Sequence, residues 1–465
     1  MALNRRRFLG AAAVPFIRTA QAARRRPNIV VFMTDDHGAW ATGAYGCGSI
    51  QTPHIDRLAA TGARFTRAFA ATPVCSPSRM TYMTGLLPSQ HGVQDWLIPL
   101  DSFGPATRRW LDGHRTWSEV LANAGYTLGM CGKWHMGQDD QAQAGFRWWA
   151  TVPGGGGPYR DCEFVHNGVT RRVPGFKTDV QTDFALDFLD RHHKEPFGLF
   201  VPFYAPHTPY DFQPERDRLP YADAAFPCFP DPPAHAWQNK GLARHHGNRA
   251  SKQAYSALIS GVDHNVGRVL ARLEQLKVRR NTVVVFTADQ GWNAGHHGVW
   301  GKGNGTTPFN MYEESLRVPL IWNDPRGIQS GQSIDAMVSS YDFFDTLLDY
   351  AGIQPPEDAR RRGRSYAAFL RGGKPAWRNR LFFEYAYVRS VRTENMKYVE
   401  RADGYPCELF DIEADPGETR NVLAEVPYAK QRDALQAELA EYFRASGAPP
   451  IGEWRKTTQQ KLSWD

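Results

Sequence analysis

An α/β fold built on a mostly parallel sheet, with a smaller antiparallel sheet and helix at the C-terminal end, is predicted by three observations. Several apolar runs end abruptly in chemically capable side chains, helical stretches alternate with those runs, and the texture changes to short alternating segments after about residue 380. Strands covered by helices on both faces read as continuous apolar runs, because neither side meets water. The segments with this character are Asn28–Thr34 leading into Asp35-Asp36, Tyr126–Cys131 into Lys133 and His135, Phe197–Tyr204 into His207, and Thr282–Ala288 into Asp289-Gln290. Between them, Trp117–Ala124, Asp179–His192 and Ser251–Gln275 carry helical periodicity. In sheets of this kind ligands bind beyond the carboxyl ends of the strands. The reactive strand ends are therefore expected to converge on one site.

The chain has 465 residues, well past the roughly 250–300 at which a single core stops growing, so a second, smaller unit is expected. Leu381–Tyr387, Ser390–Arg392, Lys397–Glu400 and Glu408–Asp411 read as a small antiparallel sheet, and an amphipathic helix near Tyr428–Phe443 would pack on it. The resulting organisation is an export signal over residues 1–22, a catalytic domain over 23–378 and a C-terminal subdomain over 379–465. The stretch from Gln213 to Gly247, rich in Pro, His and Ala, is a long excursion that either shapes a pocket or covers surface.

The export signal rests on Asn4-Arg5-Arg6-Arg7-Phe8-Leu9-Gly10, a modest apolar run from Ala11 to Ile17, and the A-x-A site Ala20-Gln21-Ala22. Twin arginines, apolar stretch and small residues in that order predict passage through the twin-arginine export machinery to the periplasm or beyond, in a bacterium. No other run is apolar for long enough to span a bilayer. The first 22 residues hold four of the 55 Lys and Arg residues and none of the 48 Asp and Glu residues, so their removal takes the net charge from +7 to +3. The high isoelectric point therefore gives no ground for a nucleic-acid partner. Cysteines stand at 47, 75, 131, 162, 228 and 407, too widely spaced for a small stapled scaffold, and no pairing is predicted.

The sharpest local signal is Cys75-Ser76-Pro77-Ser78-Arg79, followed by Met80-Thr81-Tyr82-Met83-Thr84-Gly85. A lone cysteine is most often a buried apolar residue, and an Asp pair at a strand end is most often a cap or turn. Here two pairs, Asp35-Asp36 and Asp289-Gln290, end two strands. They offer three carboxylates and an amide, hard oxygen donors of the type calcium prefers. The Cys75 run resembles the signature of the sulfatase family, C-x-P-x-R followed by T-G. The resemblance continues through Gly132-Lys133-Trp134-His135-Met136-Gly137, Ala205-Pro206-His207-Thr208-Pro209, Gly298-Val299-Trp300-Gly301-Lys302, Tyr312-Glu313-Glu314-Ser315 and Glu408–Asn421, in family order over most of the chain.

That resemblance implies an alkaline phosphatase-like fold and hydrolysis of sulfate esters. It implies oxidation of Cys75 to formylglycine by a formylglycine-generating enzyme, whose hydrate attacks sulfur with one hydroxyl and expels sulfate with the other. Asp35, Asp36, Asp289 and Gln290 would hold calcium, or magnesium in its place; Asn is commoner than Gln at the fourth position. Asp289 would activate the nucleophile, Arg79 would hold the hydrate, and Lys133 and Lys302 would bind sulfate oxygens. His207 would touch the sulfate or protonate the leaving alcohol, and His135 would assist collapse of the intermediate. Cys75 would open a helix whose amides face the sulfate. His91 and Asp95 are assigned to substrate contact. The expected substrate is a sulfated carbohydrate, with choline or aryl sulfates, and a phosphonate or phosphodiester ester, as alternatives; a third reading is a glycan-binding protein unmodified at Cys75. The sugar, the oligomeric state and endo or exo action are left open.

Overall fold

The computed structural model describes residues 26–104, 107–402 and 404–454, and the export signal expected over residues 1–22 lies outside them. Strands β1 (Asn28–Thr34), β2 (Ala63–Phe65), β3 (Thr127–Gly132), β4 (Trp148–Thr151), β5 (Glu163–His166), β6 (Val169–Arg172), β7 (Phe197–Pro202), β8 (Thr282–Ala288), β9 (Leu320–Asn323) and β10 (Gln332–Ile334) form one ten-stranded sheet. Its order is β10-β2-β9-β8-β1-β7-β3-β4-β5-β6. From β8 to β4 every neighbour is parallel. Antiparallel pairing is confined to β9 with its two neighbours and to the β4-β5-β6 edge.

Alternation along β1 divides the core. Ile29, Val31 and Met33 join one apolar cluster with Met80, Trp117 and Phe343; Val30 and Phe32 join another with Leu58, Phe188 and Val262. Helices α1 (Pro53–Ala60), α2 (Cys75–Thr84), α3 (Trp117–Asn123), α4 (Lys177–His192), α5 (Arg249–Gln275) and α6 (Phe343–Tyr350) supply those side chains. Thus α2, α3 and α6 cover one face and α1, α4 and α5 the other. This is the helix-covered sheet that the continuous apolar runs predict.

Beyond residue 380, β11 (Leu381–Tyr385), β12 (Val388–Arg392), β13 (Met396–Arg401) and β14 (Glu408–Asp411) form a four-stranded antiparallel meander. Helix α7 (Ala429–Ala445) packs on it through Leu435, Leu439 and Phe443, in a cluster that also contains Val74 and Cys75. The C-terminal sheet therefore buttresses the start of α2. The excursion after Gln213 holds short helices such as Glu215–Arg218 and Lys240–Ala243. A disulfide between Cys47 and Cys228 ties it to the body of the protein, a pairing that the spacing of the cysteines did not indicate. Cys75, Cys131, Cys162 and Cys407 carry free thiols. Among the described residues no helix is long and apolar enough to cross a membrane.

Candidate active site

Adjacent parallel strands deliver the acidic groups. Thr34 of β1 stands opposite Ala288 of β8, and the Asp289 amide donates to the Thr34 carbonyl at 2.9 Å. Consecutive residues of an extended strand point to opposite faces, yet Asp35 and Asp36 both enter the site. The left-handed backbone at Asp36, with φ of 63°, makes this turn, a conformation that Asp tolerates better than most residues. Both are fully buried, as are Asp289 and Gln290. The Gln290 amide nitrogen donates to Asp35 Oδ1 at 3.0 Å and Asp36 Oδ1 at 2.7 Å.

Helix α2 presents the cysteine and the arginine from the opposite side. Cys75 and Arg79 are four residues apart, on one helical face, and every residue of α2 is buried. Gly85 stops the helix in a left-handed conformation with φ of 71°. Arg79 donates through Nε to Asp289 Oδ2 at 2.8 Å and through Nη1 to the Lys133 carbonyl; Nη2 lies 2.8 Å from Asp289 Oδ2 and 3.5 Å from Asp35 Oδ2. Lys133 is carried in by the end of β3. Its amide donates to the Pro202 carbonyl at 2.7 Å, and a Cβ on Gly132 would fall 2.0 Å from that same oxygen, so only glycine allows the approach. The Lys133 ammonium pairs with Asp35 Oδ2. Lys302 Nζ sits 2.7 Å from Asp36 Oδ1 and 3.7 Å from Cys75 Sγ.

Three carboxylates thus face three permanent cations, all buried. Burial raises the Asp35 carboxyl, but Lys133, His207, Lys302 and Arg79 together hold it well below the usual carboxylate range. For Asp289, burial and the charge of Asp35 outweigh Arg79 and push the carboxyl up to about 7. A carboxylate poised near neutrality is suited to moving a proton. Burial pushes the Cys75 thiol up, against the pull of Lys133 and Lys302. An unmodified Cys75 would stay protonated at neutral pH and be a poor nucleophile.

These groups open into a pocket of about 330 Å³, whose wall includes Asp36, Cys75, Lys133, His135, His207 and Lys302. His207 donates from Nδ1 to the Thr208 carbonyl at 2.6 Å, which leaves Nε2 facing Asp36 Oδ2 at 3.7 Å. His135, at φ of 58°, donates from Nε2 to the Leu97 carbonyl at 2.6 Å. The structure therefore gathers Asp35, Asp36, Cys75, Arg79, Lys133, His135, His207, Asp289, Gln290 and Lys302 in one place.

His91 and Asp95 are not in this wall. The His91 ring is enclosed between Thr81 Oγ1, 3.3 Å from Nε2, and the Val93 amide, which donates to Nδ1 at 3.2 Å. Asp95 accepts from the Tyr385 hydroxyl and, at 2.8 Å, from the Trp96 amide. Both side chains face inward, and the residue beside them that reaches the pocket is Trp96. The wall also includes Leu242 from the long excursion, Trp292, and the glycines from Gly154 to Gly156, none of which sequence reasoning selected. The run of glycines between Pro153 and Pro158 was the visible signal for the last of these.

The sulfatase family model matches residues 27–353. The chain belongs to the sulfatase family. A second model, described as N-sulphoglucosamine sulphohydrolase, C-terminal, matches residues 295–445 of this sulfatase. It is 28% identical to the N-acetylglucosamine-6-O-sulfatase of Bacteroides thetaiotaomicron, over 90% of its own length and 86% of the relative's. A solved structure in complex with its substrate D-glucosamine-2-N,6-O-disulfate superposes with a TM-score of 0.79 at 26% identity, covering 92% of this chain and all of the other. The phosphonate monoester hydrolase of Agrobacterium radiobacter shares the fold, with a TM-score of 0.71 at 22% identity over 90% of this chain and 96% of the other. The fold is alkaline phosphatase-like, and the protein is an enzyme, a sulfuric ester hydrolase.

Proposed function

We propose that this sulfatase removes sulfate from a sulfated carbohydrate, using formylglycine made from Cys75 and a divalent cation, calcium or magnesium, held by Asp35, Asp36, Asp289 and Gln290. The observation that carries this reading is the position of Cys75 at the first turn of α2, with Lys302 Nζ 3.7 Å from its sulfur and buried oxygens of the acidic cluster behind it. The donor set fits the cation. Gln290 Oε1 is buried without a partner, and the amide nitrogen occupies the gap between the Asp35 and Asp36 carboxylates. Nitrogen and oxygen of an amide have nearly the same shape, so a half-turn would set a third oxygen beside two carboxylates, an arrangement that a cation stabilises. Bound there, the cation would favour the ionised form of a hydroxyl beside it.

The chain's own groups then account for the proton movements. Asp289 takes the proton of the attacking hydroxyl of the formylglycine hydrate, whose oxygen bonds to sulfur as the bond to the sugar oxygen breaks. Lys133 and Lys302 neutralise the charge that builds on the sulfate oxygens. His207, protonated on both ring nitrogens with Nε2 beside Asp36 Oδ2 at 3.7 Å, delivers the Nε2 proton to the departing alcohol. His135 accepts the proton of the second hydroxyl as the carbon–oxygen bond to sulfate breaks, which restores the aldehyde for hydration. The sugar substrate is supported by the N-acetylglucosamine-6-O-sulfatase relative and the glucosamine disulfate complex. Export through the signal over residues 1–22 agrees with the Cys47–Cys228 disulfide, which persists in an oxidising compartment. The catalytic domain is taken as 23–378 and the subdomain as 379–465.

Peptide mass spectrometry across Cys75, on protein from a host with a formylglycine-generating enzyme, should show exchange of one sulfur for oxygen with loss of two hydrogens. The same protein should release sulfate from members of a sulfated-sugar panel, and Cys75→Ala should abolish release without unfolding. Substantial turnover by Cys75→Ala would sink the mechanism. Because the fold is shared with a phosphonate monoester hydrolase, aryl sulfate and aryl phosphonate should be compared directly; a faster rate on the phosphonate would make that ester class the substrate.

A further inference from the structure

Lys177 lies outside the acidic cluster, yet its environment is hard to explain by stability alone. It is the first residue of α4 and fully buried. Burying an ammonium is costly, a cation at a helix N-terminus opposes the helix dipole, and among the described residues no carboxylate is in ion-pair contact with it. Burial pulls its ammonium down to about 7.

What Lys177 touches is the wall of the pocket. Its Nζ donates to the carbonyls of Gly156 and Gly157 at 3.0 and 2.9 Å. It also lies 3.9 Å from the centre of the Tyr204 ring and 5.5 Å from that of Tyr159. The Tyr204 ring is shared with Lys133, whose Nζ is 5.4 Å from the same centre. Each partner leads to a histidine. The glycine loop presses on His135, because a Cβ on Gly155 would fall 2.4 Å from that ring. The Tyr159 hydroxyl donates to the His207 carbonyl at 2.8 Å, and the Tyr204 ring leans on the His207 ring with centres 5.0 Å apart.

We propose that Lys177 is a positioning residue: it clamps the Gly154–Gly157 loop to Tyr159 and Tyr204 and so fixes His135 and His207 at the spacing that proton transfer requires. Neither an ammonium nor a neutral amine lacks the two hydrogens that the carbonyls of Gly156 and Gly157 accept, so the clamp is geometric. The inference rests on the reading that the Cys75 pocket is the active site.

The test is Lys177→Met in the full-length, matured enzyme, with formylglycine content measured by mass spectrometry and kcat expressed per formylglycine. Displacing catalytic groups by about an ångström costs up to roughly 100-fold, so kcat on an aryl sulfate should fall about 10–100-fold. KM should stay within about threefold, since Lys133 and Lys302 are untouched. The melting temperature should hold, because relief of the ammonium's desolvation offsets the loss of its two hydrogen bonds. Tyr159→Phe, which deletes the hydroxyl on the His207 carbonyl and keeps the ring, should lower kcat several-fold with unchanged melting, and it decides the matter if Lys177→Met fails to fold. A kcat within about twofold of wild type in the folded variant overturns the proposal, and so does a kcat loss that only tracks a fall in melting temperature. Absence of sulfate release by the wild type would overturn the active-site reading as well, so the two failures are told apart by the wild-type control.

Discussion

Lys302 is where the charge balance of the pocket is most directly exposed to experiment. Its ammonium contacts Asp36 Oδ1 at 2.7 Å and faces the Cys75 sulfur, so on the proposed mechanism it would exchange the carboxylate pair for a sulfate oxygen. Lys302→Met should lower kcat by roughly 100- to 1000-fold, the loss typical of removing one charge-stabilising donor. Removing one partner of a buried ion pair also leaves the other uncompensated, and a bound cation would relieve that. The melting-temperature gap between wild type and Lys302→Met should therefore be wider in chelator than in calcium; equal gaps would remove Asp36 from the metal site. Lys302 and Cys75 were legible because each stands in a motif or at a strand end. Lys177 was not, since nothing in Phe176-Lys177-Thr178 announces that two tyrosines and two glycine carbonyls from other segments meet there. His91 and Asp95 look alike in sequence to a pocket residue. Only the fold shows Thr81 beside His91 Nε2 and Tyr385 donating to Asp95 Oδ1.

Elements were legible where a long apolar run marked them rather than wherever they are buried: β9, four wholly buried residues, was not singled out. β1 and β8 run as seven wholly buried residues each, and their apolar runs mark both ends without error. β3 is shifted by one residue at each end, and β7 stops two residues before the apolar run does, where Phe203 and Tyr204 still read as strand although the strand has ended. The short β5 and the edge strand β6 beside it, partly or fully exposed, carry no such signature. Between elements, Asp263 of α5 accepts from the amides of His54 and Ile55 at 3.2 and 2.8 Å, stapling α5 to the first turn of α1. Burial pushes its carboxyl up to about 7. A carboxyl raised in the folded state stabilises the fold fully below its unfolded value near 4, and that contribution is lost as pH rises through about 7. Asp263→Asn, which cannot ionise, should therefore gain in melting temperature relative to wild type between pH 5 and pH 8. A difference that stays constant across that range would show the carboxyl ionised throughout.

At the scale of the molecule, the acidic cluster joins strand ends whose Asp36 and Gln290 are 254 residues apart in sequence. Carboxylates at one point repel, and Arg79, Lys133 and Lys302 offset that repulsion only by engaging the same oxygens that a cation would take. A ligand that binds the folded chain and not the unfolded one adds stability in proportion to the logarithm of its concentration over its dissociation constant. Since the donors come from β1 and β8 at the centre of the sheet, that gain should be felt by the whole catalytic domain rather than by one loop. Treatment of the matured enzyme with a strong chelator should thus lower both sulfate release and melting temperature, with roughly 3–4 kcal/mol restored at calcium 100 to 1000 times its dissociation constant. Titration should recover activity and melting temperature in parallel, because one site governs both. Full activity in the presence of chelator would eliminate the cation from the mechanism and leave Asp289, with Arg79, Lys133 and Lys302 around it, to activate the nucleophile.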